Sequence, residues 1–258
     1  MSMKRHAKGF DKGYSKGSKK SHSQGDRKGG SKGKRGGSST SGVHFKQSKA
    51  SQNSSSTNDT SIMFDELTAP PSKATCVVSS STEARVCLLL DSSGSIIDSD
   101  FQLSLNFSQG LVSAIDTNSP DSLYSIVLFA SRAIIQLNYS DATTTLATLA
   151  KLTRDYYGGT ATHLGFEKCQ ETFDLGDGKS HVIIILTDGV PDYQFLADST
   201  ANATKATGTK IVCLGIGSGI DFETLSRWST IPELTFQADS FADLENITSS
   251  FTSTISCA

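Results

Sequence analysis

Asp91, Ser93 and Ser95 alternate within the stretch RVCLLLDSSGSII, residues 85–97, and each carries an oxygen that can face a cation. One carboxylate and two hydroxyls make a hard, oxygen-only, weakly charged donor set. Such a set suits Mg²⁺, with Mn²⁺ or Ca²⁺ as substitutes, better than zinc or copper. Two more oxygen-rich turns follow. Tyr157-Gly158-Gly159-Thr160-Ala161-Thr162 sets hydroxyls beside glycines that allow close backbone approach. Leu186-Thr187-Asp188-Gly189 closes a continuous apolar run. Taken singly, each is an ordinary turn or helix cap. In this order, each at the boundary of an apolar or amphipathic stretch, they point to one metal site that begins at Asp91, Ser93 and Ser95 and that the later turns complete.

Those residues must be positioned by the elements around them. From Glu83 onward, apolar runs of strand length alternate with amphipathic stretches of helix length, the signature of βαβ units and a mostly parallel sheet. Strands are expected at 84–91, 122–130, 132–138, 181–187, 209–216 and 234–238. Helices are expected at 98–117, 141–152, 161–173, 193–207, 221–229 and 240–256. The fold class is therefore α/β, a doubly wound, mostly parallel six-stranded sheet with helices on both faces. The runs within 122–138 are too close for a crossover helix, so they should pair as an antiparallel hairpin that adds one edge strand. His181-Val182-Ile183-Ile184-Ile185-Leu186 reads as a central strand covered on both faces. In the first helix Phe101, Leu105, Val112 and Ile115 form a core stripe opposite Gln102, Asn106, Gln109 and Ser113. In an open sheet of this kind ligands bind outside the carboxyl ends of the strands, where Asp91 and Asp188 fall.

Charge divides the 258 residues into two objects. Residues 1–50 carry a net charge of +12 and residues 51–258 a net −14, which leaves −2 overall. Residues 1–60 are poor in apolar side chains and rich in Lys, Gly and Ser, and are expected to be a disordered basic tail. Glycine recurs there at multiples of four, as at Gly9, Gly13, Gly17, Gly25, Gly29, Gly33 and Gly37, a period that opposes helix and is not that of collagen. The tail is either a solvating linker or an array for a polyanion such as nucleic acid, polysaccharide or a mineral surface. Residues 61–82 form a Ser/Thr-rich linker punctuated by Pro70-Pro71. Residues 83–257 make the folded domain.

Compartment signals pull two ways. No run of 18 apolar residues is present, and MSMKRHAKGF lacks the apolar core of a secretory signal peptide. Yet Asn53, Asn58, Asn106, Asn138, Asn202 and Asn246 all stand in N-x-Ser/Thr sequons. These read either as glycan acceptors or as the by-product of a chain about one-quarter Ser plus Thr. Cys76 and Cys257 flank the domain and could be bridged in an oxidising compartment. Cys87, Cys169 and Cys213 sit in apolar strands or a helix and are expected to be buried small hydrophobes. No CxxC spacing points to structural zinc. His163 reads as polar surface that could touch a ligand, Trp228 as core, and Asp98 and Asp100 as first-turn acids. No Ser/His/Asp or Cys/His pairing with catalytic spacing is evident, so no enzyme is expected.

On DSSGS at 91–95, GGTAT at 158–162, LTDG at 186–189 and the strand Ile211–Gly217 with its following SGIDFETL, the chain resembles the von Willebrand factor type A domain over about residues 84–256. That resemblance implies a metal-ion-dependent adhesion site. Ser93, Ser95 and Thr160 would offer hydroxyls directly, and Asp91 and Asp188 would act largely through water. It further implies a non-enzymatic module that binds a partner protein through an Asp or Glu carboxylate. An adhesion or matrix role outside the cell is the favoured expectation. An intracellular assembly factor, docking an acidic residue of a protein complex while its tail holds nucleic acid or another polyanion, is the alternative.

Overall fold

The structure, a computed structural model, describes residues 77–79, 83–154 and 157–257. The basic tail and nearly all of the linker lie outside the described residues. In chain order the elements are β1 (Val78–Ser79), β2 (Ala84–Asp91), α1 (Asp98–Asn118), β3 (Leu123–Phe129), β4 (Ala133–Ser140), α2 (Ala142–Leu149), α3 (Thr162–Thr172), β5 (Ser180–Thr187), α4 (Gln194–Ala206), β6 (Lys210–Ile216), α5 (Phe222–Trp228), β7 (Thr235–Ala238), α6 (Leu244–Ile255) and β8 (Ser256–Cys257). Six strands form one sheet in the order β4-β3-β2-β5-β6-β7. All pairs are parallel except β3–β4, which is the antiparallel edge hairpin.

The central strands are apolar on both sides because both sides are covered. Alternate residues of β2 point in opposite directions, so Val86, Leu88 and Leu90 join Phe101, Leu105, Val112 and Ile115 of α1 and Ile247 and Phe251 of α6 in one core. Cys87 and Leu89 join Phe166 of α3, Ala197 and Ala201 of α4, and Leu225 and Trp228 of α5 in the other. The helix stripe lies as the spacing requires, with Gln102, Asn106 and Ser113 exposed and Gln109 half-buried. Trp228 is core, its Nε1 donating to Asp198 Oδ1 at 2.6 Å.

Two cysteines depart from expectation. Cys87 of β2 and Cys169 of α3 are not separate buried thiols but are joined as a disulfide. Both lie on the same side of the sheet, 82 residues apart in sequence, where α3 packs against β2. Cys213 stays a buried free thiol, and burial pushes its ionisation well upward. The last helix is also shorter than expected at its start, since Phe241–Asp243 form a 3-10 turn before α6 begins at Leu244.

The short strands β1 and β8 pair in parallel, Val78 opposite Ser256, and the Val77 N–H donates to the Ile255 carbonyl at 2.9 Å. The folded chain thus enters and leaves side by side. Cys76 lies outside the described residues. No helix among the described residues is long and apolar enough to cross a membrane.

Candidate functional site

Parallel pairing sets the ends of β2 and β5 at the same rim. Leu90 is in register with Leu186, so Asp91 and Thr187 each stand one residue beyond that last pair and Asp188 follows. Asp91 is 2 % exposed; its Oδ1 accepts from the Ser93 N–H at 2.8 Å and its Oδ2 from the Thr187 hydroxyl at 2.6 Å. The first bond closes a tight turn that brings Ser93 back over the strand end. Ser92 secures the same turn, its N–H and hydroxyl both donating to the Phe129 carbonyl at 2.8 and 3.0 Å. Ser93 Oγ and Ser95 Oγ lie 3.1 Å apart, and Ser95 Oγ donates to Asp188 Oδ1 at 2.8 Å.

Thr160 reaches the rim from the loop before α3. Its N–H donates to Asp192 Oδ2 at 2.8 Å, and the Asp192 N–H donates to the Thr160 carbonyl at 3.0 Å, clamping this loop to the one after β5. Gly159 belongs there because a Cβ would sit 1.8 Å from the Asp192 carboxylate. Gly158 adopts φ +149° and its carbonyl accepts from the Gly94 N–H at 2.9 Å, joining the loop to the DSSGS turn. The Thr160 hydroxyl lies 3.9 Å from where a Cβ on Gly189 would project, so it abuts the Asp188-Gly189 turn. Asp91, Ser93, Ser95 and Asp188 are therefore linked through hydrogen bonds, and Thr160 borders them. His163 falls beside the rim, its ring edge-on to Tyr193 at 5.5 Å between centroids.

Electrostatically the pocket is short of positive charge. Burial raises the Asp91 carboxyl from 3.8 to about 6, against the opposing pull of its hydrogen bonds from Thr187 and Ser93, and Asp188 nearby adds to the rise. Burial also raises Asp188, again despite the Ser95 hydrogen bond. Two carboxylates held upward at one rim is the state that a cation would relieve. The donor set fits a hard ion on spacing as well. Ligands about 2.1 Å from an octahedral ion are about 3.0 Å from their neighbours, close to the Ser93–Ser95 and Ser95–Asp188 separations. Among the described residues no three His, Cys, Asp or Glu side chains group to hold a metal. A cation at this rim would therefore rest on hydroxyls.

Three supporting residues had no expectation attached. Thr187 and Asp192 are local to the LTDG turn and hold Asp91 and Thr160 in place. Arg154 comes from the segment after α2. Its side chain is 4 % exposed and donates to the Ser93 carbonyl at 3.2 Å, to the Ile96 carbonyl, and to Asp98 Oδ1 at 2.6 Å. The guanidinium also lies 4.5 Å from the Tyr157 ring centroid. Asp98, expected only as a first-turn acid, is held below the usual carboxylate range by Arg154.

Comparison with known proteins agrees with this architecture. The family model for the von Willebrand factor type A domain matches residues 86–250. The human collagen alpha-6(VI) chain is 25 % identical over 178 residues, covering 66 % of this chain and 8 % of that protein. The structure of proximal thread matrix protein 1 from the mussel byssus, with a zinc-occupied MIDAS motif, is 26 % identical with a TM-score of 0.61, covering 69 % of this chain and 47 % of that one. Manganese-loaded TRAP protein from Plasmodium vivax, 22 % identical with a TM-score of 0.53 over 66 % of this chain and 74 % of that chain, shares the fold. The chain thus spans about half of the byssus protein and a small part of the collagen chain.

Proposed function

Because the chain belongs to the von Willebrand factor type A domain family, we propose that residues 83–257 are a non-enzymatic, divalent-cation-dependent protein-binding module. Ser93, Ser95 and Thr160 would hold Mg²⁺, or Mn²⁺ in its place, through hydroxyl oxygens, with Asp91 and Asp188 supplying the negative charge. A cation so bound supplies an under-neutralised Lewis-acidic position that a partner's Asp or Glu carboxylate can complete. The chain's own residues do the rest. The Thr187 hydroxyl and the Ser93 N–H fix the Asp91 carboxylate in place, one on each oxygen. Asp192 holds the Thr160 loop at the rim.

The observation that carries this reading is the hydrogen-bonded run Ser93–Ser95–Asp188 beside a buried Asp91. The zinc-occupied motif of the byssus protein supports it by likeness. The Cys87–Cys169 disulfide favours an oxidising compartment and so the extracellular role over the intracellular assembly factor. All four described sequon asparagines, Asn106, Asn138, Asn202 and Asn246, are exposed, as glycan acceptors must be. Mn²⁺ titration followed by paramagnetic resonance tests the site. Asp188→Ala should weaken Mn²⁺ binding at least about tenfold without changing the far-ultraviolet circular dichroism, in line with the loss of a metal-site residue. Unchanged affinity would remove the assignment.

A further inference from the structure

Large apolar side chains are exposed at seven positions among the described residues, and six of them lie around the candidate site. Ile97 (59 % exposed) follows the DSSGS turn, and Tyr157 (60 %) precedes Gly158. Val190 (53 %) follows Gly189, while Tyr193 (58 %), Phe195 (81 %) and Leu196 (44 %) stand at the start of α4. Two of them are tied to the rim by their neighbours. The Tyr157 hydroxyl bonds Asp98, just after the DSSGS turn, at 3.4 Å, and Tyr193 packs on His163, just after the Thr160 loop. An apolar collar around a position built to take a carboxylate asks for a ligand with bulky apolar residues immediately beside its acid.

The chain contains one such segment before the folded domain. Ile62-Met63-Phe64-Asp65-Glu66-Leu67 sets two adjacent carboxylates between four apolar side chains, in a region otherwise dominated by Ser, Thr, Lys and Gly. It lies outside the described residues and its sequence is what matches the collar. We propose that the collared site receives Ile62–Leu67 of a second copy of this chain, one of the Asp65 and Glu66 carboxylates completing the cation and the flanking apolar residues covering the collar. This rests on the metal-binding reading above.

Two geometric facts favour a second copy over the same one. Val77 is fixed at the amino ends of the strands, its N–H on Ile255 and its carbonyl accepting from Ser180, which pairs with Ala84. The site lies at the carboxyl ends, beyond an eight-residue strand about 26 Å long. The eleven residues from Glu66 to Val77 span at most about 40 Å when fully drawn out, which leaves little to pass around the body. Between copies no such constraint applies. A site at one end of the body and a donated segment tethered at the other is a heterologous contact that does not close on itself, so it grows head to tail.

The test uses the full 258-residue chain in analytical ultracentrifugation with 2 mM Mg²⁺ or EDTA, at a salt concentration of about 0.5 M that screens the tail's charge. Wild type should form concentration-dependent oligomers in Mg²⁺ and monomers in EDTA. Asp65→Asn/Glu66→Gln, which keeps the site, and Asp188→Ala, which keeps the segment, should each be monomeric alone. Mixed, they should yield a one-to-one heterodimer that EDTA dissolves. Tyr193→Ser/Phe195→Ser should weaken wild-type assembly at least about tenfold while leaving Mn²⁺ affinity unchanged. A wild-type chain that binds Mn²⁺ yet stays monomeric, or a mixture that fails to pair, overturns this proposal alone. A wild-type chain that binds no Mn²⁺ overturns the metal-site reading beneath it.

Discussion

A carboxylate buried as deeply as Asp91 is a costly anion, and its titration says what the site lacks. In the metal-free protein the folded state holds the Asp91 proton more tightly than the unfolded chain, since burial moves the carboxyl from 3.8 to about 6. Its contribution to stability is therefore complete below about pH 3.8 and is lost as pH rises through 6, the reverse of a salt-bridged aspartate. Roughly 3 kcal/mol is at stake at neutral pH. A bound divalent cation would offset that cost. Calorimetry should then find that Mg²⁺ raises the unfolding temperature at pH 7 and has little effect at pH 4.5, where Asp91 is protonated; equal shifts at both would count against Asp91 as part of the site. Arg154 matters at the same scale for a different reason. Its guanidinium satisfies the Ser93 and Ile96 carbonyls under the DSSGS turn. Arg154→Ala would leave both buried carbonyls without that partner, costing about 2–4 kcal/mol. Metal affinity should fall with it, and Arg154→Lys, which cannot reproduce the planar fork, should recover only part. Full recovery in the lysine variant would mean that charge alone suffices.

At the scale of elements, the apolar runs made the sheet and its order of strands and helices readable, because a strand covered on both faces must be apolar throughout, as 181–186 is. The hairpin at the edge followed from a spacing too short for any helix. The positions of Asp91 and Asp188 were readable because parallel register sets the ends of β2 and β5 at one rim; Thr160 comes there by the Asp192 clamp, which the sequence did not signal. What escaped was contact between elements. Arg154 is 56 residues from Asp98 and gave no local signal. Cys87 and Cys169 each looked like a small core residue, and only the packing of α3 on β2 makes them partners. That bridge sits four residues before Asp91 and nine after Thr160, fastening the two site segments to each other from below. Peptide mapping without reductant should recover Cys87 linked to Cys169, with Cys213 as a thiol. The same map tests the expected link between Cys257 and Cys76, which lies outside the described residues. Cys169→Ala should cost about 2–4 kcal/mol and broaden the Mn²⁺ resonance of the loaded site. A variant as stable as wild type would mean that the thiols are unpaired in the native protein.

For the whole molecule the informative quantity is a charge difference hidden by its sum. Residues 1–50 at +12 and the remainder at −14 attract one another at low ionic strength. The tail is either a solvating linker or a polyanion-binding arm; as an arm it would act by counterion release, with an affinity that falls steeply with salt. A chain lacking residues 1–60 should unfold within about 2 °C of the full chain at 0.15 M salt, where the Debye length is about 8 Å, and should elute from a heparin column far earlier. The two measurements separate two arrangements. An arm that folds back onto the acidic body would stabilise it, and its removal would lower the unfolding temperature most at low salt. An arm that reaches outward leaves stability alone and moves only the elution. Together with the proposed carboxylate-seeking site, the second outcome would make the protein a two-handed linker, one hand sensitive to chelators and the other to salt.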